Sequence, residues 1–149
     1  LKNTLTRISR SLGYSYDETQ AMIARSFMIS ADNGHALHPN HGEYADPVNA
    51  PRLNEGIVIK FNAQQKYATD GFSAAFFRDL CRRAKVPTQT FTNRSDIPGG
   101  STLGNISNTK VSMPTVDIGL PQLAMHSSYE TAGTKDTAYL VQACTAFFE

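Results

Sequence analysis

The 149-residue chain is long enough for one domain with a real core. Hydrophobic residues make up 40% and charged residues 18%, the balance of an ordinary soluble globular protein. A formal net charge of +1 and the lack of any basic run exclude a charge-driven nucleic-acid binder, and no apolar stretch approaches the roughly 20 residues of a membrane span. Cys81 and Cys144 each fall in an apolar helical stripe and read as buried free thiols, which fits a reducing cytoplasm. The sequence opens at Leu1, without Met and already in a helical pattern, so no signal peptide is visible and a processed or truncated chain is expected.

Leu1, Leu5, Ile8 and Leu12 recur at helical spacing, with Gly13 where a C-cap belongs. Ser15-Tyr16-Asp17-Glu18 is a capping box opening a second helix to about Arg25. Ser26 to Ala31 is a short apolar run that predicts a buried strand, ending in Asp32-Asn33-Gly34-His35. Gly34 to Asn54, rich in Pro, Asn, Gly and His, predicts a loop, and a loop of that length is usually functional. Gly56 to Asn62 is the next strand. Asp70 can cap a helix whose apolar face holds Phe72, Ala75, Phe76 and Leu80, with Arg82, Arg83 and Lys85 at its end. Gln89 to Asn93 predicts a strand, and Asp96 to Gly104 a glycine-rich turn feeding a short helix. Val116 to Leu120 is a further buried strand and Pro121 to Gly133 a loop. Thr134 to Phe148 is a last helix with Tyr139, Leu140, Ala143 and Phe147 on one face. Strands alternating with helices predict an α/β fold: three layers, a largely parallel or mixed sheet flanked by helices, with no repeat and no internal domain boundary.

In open α/β sheets ligands bind at the carboxyl ends of strands, and three polar clusters fall there: Asp32 to Asn40, Asn93 to Thr102, and Met125 to Glu130. A carboxylate directly after a buried strand is costly unless it is paired or bound to a cation, although a turn aspartate is an equal reading of Asp32. His38 and His41 have a spacing open to metal ligation, but Pro39 excludes the helix that would align them, and loop histidines are the better reading. A lone His126 after a strand is more often structural than a ligand. Composition and spacing leave these residues as candidates only.

Four longer motifs narrow the choice. Ser26 to Asn40 (SFMISADNGHALHPN), Pro51 to Lys60 (PRLNEGIVIK) followed by Tyr67-Ala68-Thr69-Asp70, Arg94 to Gly104 (RSDIPGGSTLG) and Asp117 to Ser127 (DIGLPQLAMHS) resemble, in this order, signatures of the aspartyl aminopeptidase and vacuolar aminopeptidase family. The resemblance covers essentially the whole chain. It implies a zinc-aminopeptidase-like fold of which residues 1–149 form the C-terminal part of the catalytic domain, the upstream catalytic half and a dimerisation domain being absent. It also implies a site with two divalent metal ions, expected to be zinc, and a peptide substrate whose acidic N-terminal residue is released. Asp32 matches a ligand to one metal and His126 the terminal ligand to the other. His35, Lys60 and Tyr67 match substrate-contacting positions, and Gly99, Gly100 and Ser101 a tight loop beside the substrate.

The family's His-x-Asp motif, its bridging aspartate and its Glu-Glu pair have no counterpart in these residues, so the chain carries no catalytic base and is expected to be inactive by itself. The resemblance further implies a homo-oligomer, commonly a dodecamer. A piece of such a protein is expected to expose apolar patches and an unpaired strand edge. Two rival readings are a non-catalytic assembly or regulatory fragment of a degenerate relative, and a small metal-binding module using His35, His38 and His41.

Overall fold

The computed structural model describes residues 1–149. Two helices come first, α1 (Lys2–Ser11) and α2 (Tyr16–Ala24). The α2 start is the capping box read from sequence: Ser15 Oγ accepts the Glu18 N–H and the Glu18 carboxylate accepts the Ser15 N–H. Then follow β1 (Met28–Ala31), the two-residue β2 (Gly34–His35), one 3-10 turn (Gly42–Tyr44), β3 (Ile57–Phe61), α3 (Gly71–Arg83) and β4 (Thr88–Thr92). The chain closes with α4 (Leu103–Asn108), β5 (Thr115–Gly119), β6 (Pro121–Leu123), β7 (Thr131–Ala132) and α5 (Thr134–Phe148).

The main sheet is mixed, in the order β1-β5-β3-β4. β1 and β5 run parallel, as do β3 and β4, while β3 and β5 meet antiparallel with Val58 opposite Gly119 and Ile59 opposite Ile118. Continued by one residue, that register sets Lys60 opposite Asp117. Ile57, Ile59, Val116 and Ile118 point to one face, where Phe77, Leu80 and Cys81 of α3 and Ala143 of α5 complete the core. Val58 points to the other face and packs with Tyr67 and Phe91. Because side chains alternate along a strand, Lys60 shares the face of Val58, and Asp117 lies on the corresponding face of β5. α4 covers that face against β1 and β5. The α/β architecture expected from sequence is therefore present, with helices on both sides of a mixed sheet.

Four local expectations are corrected. The predicted loops at Gly34 to Asn54 and Pro121 to Gly133 contain β2, β6 and β7, which form a small second sheet in the order β2-β6-β7. Strands of two or three residues are too short to carry a period. On α3 the face is rotated: Ser73, Ala74, Phe77, Leu80 and Cys81 are buried, whereas Phe72, Ala75 and Phe76 are exposed. The Asp70–Ser73 capping box sets the helix phase, and Phe76 packs sideways on Phe27 with ring centroids 4.4 Å apart. On α1 only Ser9 is buried, and Leu1, Ile8 and Leu12 lie on the outside. Cys144 is only half-buried, while Cys81 is enclosed and its thiol is pushed up to about 12, first by burial and then by Cys144. The outer edge of β1 pairs with no strand, and an apolar hollow of about 400 Å³ lined by Leu5, Ile23, Phe27 and Phe147 opens beside it.

Asp136 in the first turn of α5 holds the long loop to the sheet. Its fully buried carboxylate accepts the Asn54 N–H at 2.7 Å and the Gly56 N–H at 3.0 Å, and the Asn54 side chain accepts the Lys135 N–H. Asp136→Ala would leave two N–H groups unpaired, an expected loss of about 2–5 kcal/mol. Thermal or urea unfolding of the variant checks this, and Asp136→Asn should lose less because its amide oxygen still accepts one of the two bonds.

Candidate active site

The chain leaves β1 at Asp32 and crosses over the end of β5. A Cβ on Gly119 would stand 1.9 Å from the Asp32 carbonyl oxygen, so only glycine permits the crossing. Asn33 then locks the turn: its side-chain oxygen accepts the Leu120 N–H at 3.2 Å and its NH2 donates to Gln122 at 2.8 Å. This leaves the Asp32 side chain exposed at the carboxyl end of the sheet, engaged in none of the chain's hydrogen bonds or ion pairs. β2 pairs with β6, which sets His35 opposite Gln122.

From β6 the chain enters a tight turn in which Ala124 and His126 both adopt positive φ, 54° and 66°. Glu130 accepts the His126 N–H at 2.6 Å, and the His126 ring is left without a partner in the chain.

Lys60 at the end of β3 is 2% exposed. Its Nζ donates to the Asn33 carbonyl at 2.9 Å and lies 5.5 Å from the centre of the Tyr67 ring. Burial pulls the ammonium below the usual lysine range, and the Asp32 and Asp117 charges oppose that. Tyr67 packs edge-on against Phe91, and its phenol is raised by burial and then by Asp117.

Asp32, His35, Lys60, Tyr67, Gly100, Ser101 and His126 all line one cleft of about 500 Å³ at the carboxyl ends of the strands. Gly99 does not line it; a Cβ there would meet Asn93 Oδ1 at 2.5 Å, so this glycine serves packing. His38 and His41 stand on the same wall with ring centroids 5.0 Å apart, and His41 pairs with Glu43 at 3.0 Å. No group of three or more His, Cys, Asp and Glu side chains is arranged to hold a metal ion, which gives the rival reading of a module built from His35, His38 and His41 no support. The free Asp32 carboxylate and free His126 imidazole fit a zinc site as donors, contributing part of a ligand set.

Sequence reasoning passed over Asn33, Thr102 and Asp117. Asp117 carried a signal: a carboxylate between Val116 and Ile118 in an apolar strand must find partners, the same argument that singled out Asp32.

A family model described as aminopeptidase I zinc metalloprotease (M18) matches residues 1–148. The chain belongs to the M18 peptidase family. It is 47% identical over 148 residues to a probable M18 family aminopeptidase 2 of Clostridium acetobutylicum, and 48% identical over 144 residues to one of Stutzerimonas stutzeri. Those matches cover 99% and 97% of the chain but 34% of each relative, so the chain spans about a third of their length. Among solved structures it resembles a chain in the cryo-EM structure of the Ape4 and Nbr1 complex, with a TM-score of 0.94 and 39% identity over 98% of this chain and 28% of that one. It also resembles the S. cerevisiae mApe1 dodecamer, with a TM-score of 0.77 and 29% identity over 87% of this chain and 28% of that one. No helix of this M18 chain is long and apolar enough to cross a membrane.

Burial first, then the His126 and Lys60 charges, lowers the His35 pKa. A histidine held below its unfolded value of about 6.5 makes stability fall as pH drops through that value toward the folded one. In metal-free protein, proton NMR should find the His35 ring titrating below the ordinary range. Lys60→Met should move its midpoint upward without restoring it fully; an unmoved midpoint would remove Lys60 as a cause.

Proposed function

We propose that this chain is the C-terminal part of the catalytic domain of a cytoplasmic zinc aminopeptidase that releases N-terminal, preferentially acidic, residues from peptides. The observation that carries the reading is the convergence of Asp32, His126, His35 and Lys60 in one cleft, from segments nearly 100 residues apart, in a chain of the M18 family. When bound, divalent ions would supply a water acidic enough to act as a nucleophile near neutral pH. Asp32 and His126 would each hold a different ion. His35 faces the substrate and stays largely neutral near pH 7, so it can accept a hydrogen bond from a peptide N–H or amine. Lys60 has N–H groups beyond the one given to Asn33, and they fit the carboxylate of an acidic N-terminal side chain. Tyr67 supplies an aromatic surface beside Lys60, and Gly100 and Ser101 line the same cleft.

The general base and the remaining ligands come from elsewhere in the full-length protein. That protein assembles as a homo-oligomer, a reading supported by the likeness to the S. cerevisiae mApe1 dodecamer. Support for burial against neighbours comes from the exposed Leu1, Ile8 and Leu12 of α1 and the free edge of β1.

In the full-length protein, Asp32→Ala and His126→Ala should each lower zinc content by about one ion per chain and abolish hydrolysis, since a catalytic zinc keeps about three protein ligands. Lys60→Met should raise KM for an acidic aminoacyl substrate by about tenfold to a hundredfold while sparing a neutral one. His41→Ala should change neither. Zinc titration with parallel hydrolysis assays reads all three, and equal losses for both substrates in Lys60→Met would sink the acidic preference. The 149 residues expressed alone should show no peptidase activity.

A further inference from the structure

Asp117 is fully buried, yet no cation lies within ion-pair distance of its carboxylate. Its oxygens instead go to two adjoining loops of the cleft, which also meet where Ser101 Oγ donates to the Lys66 carbonyl at 3.5 Å and the Asn105 side chain donates to the Gln65 carbonyl at 3.2 Å. Oδ2 accepts the Ala68 N–H at 2.5 Å, beside Tyr67, and Oδ1 accepts the Thr102 hydroxyl at 2.7 Å, beside Ser101. The Asp117 N–H donates to Thr69 Oγ1 at 2.8 Å, a second tie to the Tyr67 loop. Thr102 occupies the N-cap position of α4, where a threonine hydroxyl ordinarily accepts a backbone N–H of its own helix; here it makes no cap bond. The helix forgoes that local gain so that the hydroxyl can reach Asp117. Gly104 closes the arrangement, because a Cβ there would stand 2.5 Å from Asp117 Oδ1 and 2.6 Å from Ser30 Oγ.

We propose that Asp117 is a positioning residue that, from beneath, locks the Tyr67 loop to the adjoining Gly100–Thr102 loop, so that these two substrate-facing segments keep one arrangement. The coupling is mechanical and stands on the structure; only its kinetic consequence rests on the aminopeptidase reading. Asp117 touches neither the proposed ligands nor the cleft surface, so its loss should be felt in substrate binding before it is felt in chemistry.

The test uses the full-length protein carrying Thr102→Val, which keeps the shape and removes the hydroxyl, and Thr102→Ser, which keeps the hydroxyl. Hydrogen exchange in peptides containing Ala68 should quicken about tenfold in Thr102→Val, although residue 102 makes no hydrogen bond to Ala68, and return to the wild-type rate in Thr102→Ser. KM should rise about tenfold with kcat within about twofold and zinc content unchanged, again restored by Ser. In Asp117→Asn the amide oxygen can accept the Ala68 N–H while the NH2 donates to the Thr102 hydroxyl, so KM should stay within about threefold of wild type, whereas Asp117→Ala should follow Thr102→Val. Unchanged exchange at Ala68 in Thr102→Val, or a KM loss that Ser does not rescue, overturns the proposal. Wild-type protein that hydrolyses no aminoacyl substrate would overturn the aminopeptidase reading instead, and exchange at Ala68 would still decide the coupling.

Discussion

Where β1 ends, the Asp32–Asn33 backbone passes so close to Gly119 of β5 that no side chain could stand between them. Most of the cleft follows from this contact. It fixes the direction in which Asp32 leaves the sheet, and it brings Asn33 over β5, where the side chain pairs with Leu120 and Gln122. That pairing seats β2 against β6, so the small sheet carrying His35 is built on the same crossing. The Asn33 carbonyl, turned inward by it, is the acceptor for Lys60. One close backbone approach thus places a carboxylate, an imidazole and an ammonium around a shared space.

The sheet face beneath the cleft is unusual in carrying both Lys60 and Asp117 with almost no exposure. A buried charge without compensation costs several kcal/mol, and here neither ion takes the other as a contact partner. Each is instead satisfied mainly by uncharged groups, Lys60 by a carbonyl and Asp117 by an N–H and a hydroxyl, while the opposite charge across the strand pair helps at longer range. A direct Lys60–Asp117 contact would occupy the ammonium, whereas the observed arrangement leaves Nζ bonded to the Asn33 carbonyl at the lining of the cleft.

Features that depend on neighbours in sequence were legible before the structure. The capping box at Ser15 and the N-cap at Asp70 involve residues three apart, and β3 announces itself as an apolar run. The cleft residues Asp32, Lys60, Tyr67 and His126 were found because whole motifs matched, and local spacing had left them undecided. What escaped was set by distant partners. Asp117 meets Ala68 at a separation of 49 residues and Asp136 meets Asn54 at 82, so the apolar neighbours of Asp117 signal that it needs partners but not which ones. The outward stripe of α1 agrees with the exposed apolar patches expected from sequence, although periodicity identifies the apolar face of a helix and not what lies against it. Gly99, matched to the substrate loop by its motif, has a further constraint in Asn93, which a Cβ at that position would meet.

The turn carrying His126 is held in another way. Asp32 is placed by regular hydrogen bonding and a close approach, whereas His126 sits on a segment with two non-glycine residues in the left-handed region, each costing about 1–2 kcal/mol. Such a conformation persists only if its surroundings determine it. Three things do: the Gln122–Ala132 and Leu123–Thr131 pairings that anchor the turn at its base, the Ala124 carbonyl accepting the Ser127 N–H, and the Glu130 carboxylate gripping the His126 N–H. All of these act on the backbone, and none engages the imidazole. A turn that needed the ring for its own stability would have to give it up on binding a ligand. This one leaves the ring free at the cost of local strain, which is compatible with the ligand role proposed for it.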